Sequence, residues 1–136
     1  MIGILIASHG RLGEEIIRTA EFIYGEIPKL KAVNLNGNES LSLLKEKINK
    51  MVDDLDDGDG VLILTDIFGG TPFNIAITLY NHKKIEVVAG FTLAMILKLA
   101  TTRNEITDIQ ELAKFIVEYG KKKIYYAENP TRGKEI

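Results

Sequence analysis

Two kinds of hydrophobic pattern alternate along this chain. Short runs that are almost wholly apolar, Ile2-Gly3-Ile4-Leu5-Ile6-Ala7 and Val61-Leu62-Ile63-Leu64, are separated by longer stretches with apolar residues three or four apart. The first such stretch carries Leu12, Ile16, Ile17, Ala20, Ile23 and Tyr24 and stops at Gly25, the signature of a helix with one buried face. Leu30 to Leu35 alternates apolar with polar residues and predicts a half-exposed strand. Asn38 is the predicted N-cap of a second helix, whose stripe is Leu44, Ile48, Met51, Val52 and Leu55. The unbroken run at 61–64 suits a strand covered on both faces, as in a parallel sheet.

After Asp66 the chain reads Ile67-Phe68-Gly69-Gly70-Thr71-Pro72-Phe73-Asn74. A hydroxyl followed by proline predicts a helix start, with Thr71 as N-cap and Pro72 in the first turn. Phe73, Ala76, Ile77 and Tyr80 form its expected buried face. Ile85 to Gly90 predicts a fourth strand and Leu93 to Ala100 a short helix. Asp108 with Glu111 makes a capping box for a last helix carrying Ile109, Leu112, Ile116 and Tyr119 and ended by Gly120. Lys121 to Ala127 then reads as a fifth strand, and residues 128–136 as a loose tail after a single domain over 1–127. Strands alternating with helices imply an α/β fold: a doubly wound, mainly parallel sheet with right-handed crossovers. With strand 1 as the point of reversal, the strand order is 2-1-3-4.

Composition narrows the classes. A chain of 136 residues, 46% hydrophobic and 26% charged, suits one globular domain. No stretch reaches the roughly 18 apolar residues of a membrane span, and residues 1–8 are too short for a signal-peptide core. The absence of cysteine excludes thiolate chemistry and fits a cytoplasmic protein. A net charge of −2 without a basic face gives no reason to expect nucleic acid. The acidic run Asp53 to Asp59 lacks the late glutamate of a calcium loop and reads as a solvated turn.

Chemistry enters with His9, one of two histidines, placed where the first apolar run meets Gly10 and a helix. In a doubly wound sheet the crevice lies at the carboxyl ends of strands flanking the reversal, which brings His9 and Asp66 together. A carboxylate accepting at Nδ1 fixes the imidazole tautomer and leaves Nε2 free to attack phosphorus. Gly69, Gly70 and Thr71 offer backbone that can approach a phosphate closely, although the Thr71 hydroxyl is also wanted for capping. Ser8 and Gly10 are expected to line the other side. His82, in the polar loop Asn81-His82-Lys83-Lys84, reads as solvated. Phe68, Phe73, Phe91 and the Ile16–Ile17 stripe suit either an apolar rim or core, with Ile16 assigned to core. No second carboxylate lies near Asp66 in sequence, so no metal is expected, and no cofactor.

Three segments, Ser8-His9-Gly10, Thr65-Asp66-Ile67-Phe68-Gly69-Gly70-Thr71-Pro72-Phe73-Asn74 and Glu86-Val87-Val88-Ala89-Gly90-Phe91, resemble the IIA domain of the mannose/fructose/sorbose family of the bacterial sugar phosphotransferase system. The resemblance runs in element order from residue 1 to about 127. It implies a phosphotransferase whose His9 is phosphorylated by HPr and passes the group to a IIB component during sugar uptake, serving membrane IIC and IID components indirectly. It makes Asp66 the orienting carboxylate and Gly69, Gly70 and Thr71 the phosphate-contacting turn, which Gly10 is expected to join from the strand 1 side of the crevice. It also implies a homodimer in which an antiparallel fifth strand crosses to the partner's sheet. Two rivals share the fold: a phosphorylation-dependent regulatory domain, and the phosphotransfer subunit of a dihydroxyacetone kinase system, whose turn after strand 3 typically lacks Gly-Gly-Thr-Pro-Phe.

Overall fold

The computed structural model of the chain describes residues 1–132; the last four residues of the expected tail lie outside that range. Nine elements follow one another: β1 (Gly3–His9), α1 (Leu12–Tyr24), β2 (Leu30–Leu35), α2 (Leu41–Leu55), β3 (Val61–Thr65), α3 (Thr71–Ile77), β4 (Ile85–Ala89), α4 (Leu93–Thr102) and α5 (Ile109–Lys122). The four strands are all parallel, in the order β2-β1-β3-β4. This is the doubly wound sheet predicted from the alternation of periods.

The unbroken apolar runs have a direct cause. Successive residues of β1 and β3 face opposite sides, and both sides are covered. Ile2, Ile4, Ile6, Leu62 and Leu64 pack with α1, α4 and α5 in one core. Leu5, Ala7, Val61 and Ile63 pack with α2 and α3 in the other. The two layers hold β1 and β3 rigidly side by side, so their carboxyl ends open at one place.

Several local expectations change. Ser40, not Asn38, caps α2, accepting from the Leu43 N–H at 3.2 Å. Gly70 stands at the N-cap of α3, and Thr71 is already helical. The buried face of α3 is Pro72, Ile75 and Ala76, with Leu79 beyond its end, whereas Ile77 and Tyr80 are 40% and 42% exposed. That helix is only seven residues long, too short for its stripe to be read from apolar spacing when both faces carry apolar residues. Asp108 does cap α5, through the Gln110 N–H at 2.9 Å. Gly120 does not end it: α5 continues to Lys122, and Gly120 lies against Met95, whose Sδ would be 2.5 Å from a Cβ placed there. The glycine is a point of close approach between α4 and α5.

The strand expected over Lys121–Ala127 is not formed in the single chain. Lys121 and Lys122 are drawn into the last turn of α5, where cations suit the negative end of the helix. The remaining residues, Ile124 to Ala127, are too few to hold a ladder without a partner edge, and Ile124, Tyr125 and Tyr126 are left about three-quarters exposed.

One buried group was not foreseen. Arg103, at the C-terminal end of α4, is 1% exposed. Its guanidinium donates to the carbonyls of Ile2 at 3.1 Å and Lys29 at 3.2 Å, and also to that of Pro28. It ties the starts of β1 and β2 to the α4–α5 layer, at the pole opposite His9.

Candidate functional site

β1 and β3 are hydrogen-bonded neighbours, with Ala7 beside Thr65, so the chain leaves both strands at the same crevice. His9 and Asp66 meet there. His9 Nδ1 lies 2.9 Å from Asp66 Oδ2, and the same oxygen accepts the His9 backbone N–H at 2.9 Å. Asp66 Oδ1 accepts the Ile67 N–H at 3.0 Å. An ionised carboxylate only accepts, so Nδ1 carries the proton and Nε2 of the neutral ring holds a free lone pair. The histidine side chain is 47% exposed while the aspartate is 7% exposed. The nucleophilic side faces outward and its orienter is fixed beneath.

Burial alone would push the Asp66 carboxyl up; donation from the His9 N–H and ring and from the local amide outweighs it and holds the carboxyl below its ordinary range. Asp66 is therefore ionised throughout the neutral range and able to stabilise positive charge developing on the ring.

The turn after β3 closes over this pair. Gly69 has φ +81°, a conformation that side-chain-bearing residues rarely adopt, and a Cβ there would meet nothing within 4 Å. Gly70 is different: φ −72° suits any residue, but a Cβ would stand 3.0 Å from His9 Cε1 and 3.8 Å from Nε2. Glycine at 70 supplies room beside the imidazole, while glycine at 69 supplies a backbone angle. Asn74 reaches back from α3, its Nδ2 donating to the Gly69 carbonyl at 3.0 Å, and pins the turn. The sequence held a signal for this in the Asn that follows Gly-Gly-Thr-Pro-Phe, but nothing local says which carbonyl it would find.

Thr71 is placed at this turn as expected. Among the described residues its hydroxyl makes no capping bond, so capping does not compete for it. Its amide lies in the first turn of α3, where no intrahelical carbonyl is available.

The β1 side departs from expectation. Gly10 N–H donates to the Leu35 carbonyl at 2.8 Å, extending the β1–β2 ladder, so it is not free for an anion. Ser8 is 1% exposed and its Oγ accepts the Gly13 N–H at 2.8 Å. It serves as a remote cap for α1 and does not line the crevice. Glu14 and Glu15 occupy the first turn of that helix, bridged by Arg11. The start of α1 is thus committed internally, and the anion-facing groups come from the β3–α3 side.

An apolar rim surrounds the site. Ile67 and Phe68 are 60% and 79% exposed, and Phe68 packs on Phe73 with ring centroids 4.8 Å apart. Ile16, Ile17 and Phe91 instead lie partly buried against the core. His82 is exposed and distant in the fold from the pair, beside Lys45 and Lys83 in a shallow groove between α2 and the end of α3. Among the described residues no group of three or more acidic or histidine side chains converges in a way that would hold a metal. No helix among them is long and apolar enough to cross a membrane.

Comparison with known proteins places the chain in a family. The chain is 34% identical over 121 residues to the mannose-specific EIIAB component of Escherichia coli K12, covering 88% of this chain and 38% of that protein. The chain thus spans well under half the length of that relative. It is 34% identical over 107 residues to the sorbose-specific EIIA component of Lacticaseibacillus casei, covering 76% of this chain and 75% of that one. The solved structure of a mannose/sorbose-specific IIA subunit from Enterococcus faecalis superposes with a TM-score of 0.85 at 27% identity, covering 95% and 96% of the two chains. The model of the EIIA-man family, described as the PTS system fructose IIA component, matches residues 3–117, and the chain belongs to that family of phosphotransferase-system IIA components.

Proposed function

We propose that this chain is a phosphocarrier of a sugar phosphotransferase system, taking a phosphoryl group from phospho-HPr onto His9 and passing it to a IIB component during sugar uptake. One observation carries the reading: the 2.9 Å contact of His9 Nδ1 with the buried Asp66 carboxylate, which leaves Nε2 as the ring nitrogen available to attack phosphorus. In the first half-reaction the Nε2 lone pair attacks phosphorus in line as the P–N bond of the donor phosphohistidine breaks. That electron pair stays on the donor ring, and Asp66 balances the charge gained by His9. The second half-reaction is the same step, with His9 as the leaving group. Backbone of Gly69, Gly70 and Thr71 lines the path of the transferring oxygens. Gly10 serves by keeping the opposite wall free of a side chain, since its amide is already bonded.

The exposed Ile67 and Phe68 are the contact for both partners in this reading, and the membrane IIC and IID components are served only through IIB. The relay places the protein in the cytoplasm, where HPr is found. The domain comprises residues 1–127, followed by the tail. The protein acts as a homodimer in which Ile124 to Ala127 of each copy lies antiparallel on β4 of the other. Three exposed apolar side chains in that segment support this arrangement.

The test is incubation with phosphoenolpyruvate, enzyme I and HPr, followed by mass spectrometry at alkaline pH. One acid-labile phosphate on His9 is expected. Phosphate on His82, or labelling that persists in His9→Ala, refutes the assignment.

A further inference from the structure

β4 is one open edge of the sheet, and its outward backbone groups are not equally available. Gly90 N–H donates to the Thr65 carbonyl and Val61 N–H to the Lys84 carbonyl, so the even-numbered residues of this strand turn their backbone toward β3. The backbone groups of Ile85, Val87 and Ala89 therefore face outward. Val87 N–H is already engaged: it donates to the Tyr80 hydroxyl oxygen at 3.0 Å, and the Tyr80 O–H donates onward to Glu86 Oε2 at 3.2 Å. Burial raises the Tyr80 phenol above its usual range and the nearby Glu86 carboxylate adds to this, against the opposing pull of the Val87 amide; the hydroxyl stays protonated. Tyr80 lies three residues past the end of α3, so the turn that leaves that helix lays a polar side chain over the sheet edge. The Val87 carbonyl and both backbone groups of Ala89 have no partner among the described residues.

We propose that Tyr80 sets the register of the strand that a second copy adds to β4, so that the two-bond rung closes at Ala89 and pairing stops short of the Val87 amide. This rests on the strand-exchange reading above, with Ile124 to Ala127 of the second copy as the occupant. An antiparallel pair alternates between rungs that exchange two hydrogen bonds and rungs that exchange none. With Ala89 as a bonded rung, the next lies at Val87 and requires its N–H, which Tyr80 holds. The same bond protects the edge of a lone chain from indiscriminate pairing, as covered edges do elsewhere. Beside Ala89, a small cavity of about 140 Å³, lined by Val88, Ala89, Gly90, Met95 and Val117 and bordered in the single chain by its own Ile124, gives an incoming apolar side chain a place to sit once that Ile124 has moved to the other copy.

The test compares the full chain with Tyr80→Phe and with a double variant, Ile124→Pro with Tyr125→Pro, by residue-resolved amide hydrogen exchange across a dilution series and by sedimentation. In the wild type, Ala89 protection falls on dilution while Val87 protection does not, because the Val87 bond is internal. In Tyr80→Phe, Val87 exchanges faster at low concentration and becomes protected at high concentration. The dimer tightens on the order of tenfold, from one added hydrogen bond on each of two symmetric edges. If the proline variant dimerises like the wild type, or the wild type is monomeric, the strand-exchange reading fails and the register proposal with it. If the proline variant is monomeric but Tyr80→Phe leaves dimer affinity and Val87 exchange unchanged, the register proposal alone is refuted.

Discussion

Gly70→Ala and Gly69→Ala should fail in opposite ways, although the two residues are adjacent. At Gly70 the backbone, with φ −72° and ψ 169°, is open to alanine without strain. The added methyl would stand 3.0 Å from His9 Cε1, against an ordinary carbon–carbon separation of about 3.5–4.0 Å. The imidazole must retreat by roughly half an ångström, at the cost of its 2.9 Å bond to Asp66, and the methyl also narrows the space beside Nε2. Since a 1 Å misplacement of a reacting group costs on the order of a hundredfold, transfer should slow by about tenfold. Folding stability should move by less than about 1 kcal/mol, because alanine also loses less freedom on folding. At Gly69 the methyl would touch nothing within 4 Å, but φ +81° strains any side-chain-bearing residue. That costs about 1–2 kcal/mol of stability and leaves the ring where it is. Rapid-quench measurement of phosphoryl transfer from phospho-HPr, with urea unfolding of each variant, separates the two. Unchanged transfer in Gly70→Ala, or equal slowing in both variants, would refute the assignment of space to one glycine and angle to the other.

Asp66→Asn should slow transfer on the order of a hundredfold, because the amide cannot balance the charge on the ring. It should also flatten the acid limb of stability. The folded-state carboxyl lies below its unfolded value of 3.8, so its contribution is complete above that pH and is lost as pH falls through the lower folded value. Urea midpoints between pH 2 and 6 for both proteins check the sign, and parallel curves would count against it. Arg103→Met should destabilise the fold by about 3 kcal/mol, because the carbonyls of Ile2, Pro28 and Lys29 lose their donor. The transfer rate per folded molecule should be unaffected, and a large loss there would mean that the clamp reaches the site. Gly120→Ala should cost about 1–3 kcal/mol by crowding Met95, and combined with Met95→Ala the loss in urea unfolding free energy should be smaller than the sum of the two single losses.

The sequence by itself determined the α/β layering, because a strand buried on both faces must be apolar throughout and an amphipathic helix must show a period near 3.6. Both patterns are local and survive without knowledge of neighbours. It also determined the chemical pair. A histidine and an aspartate each stand two residues past an apolar run, and the doubly wound rule places such ends together. What it could not determine is which partner each polar group would find. Ser8 and Gly10 stand in the motif beside His9, yet their hydrogen bonds go to Gly13 and Leu35, a choice made by the packing of α1 and β2 against β1. Arg103 carries no local signal of burial, yet it is buried, because three strand-end carbonyls converge on it from parts of the chain 74 to 101 residues away. Gly120 reads as a helix stop and is a contact, because only the docking of α4 on α5 reveals Met95 behind it. Periodicity fixes which side of an element is buried; which atom lies on the far side of that contact is set by tertiary packing.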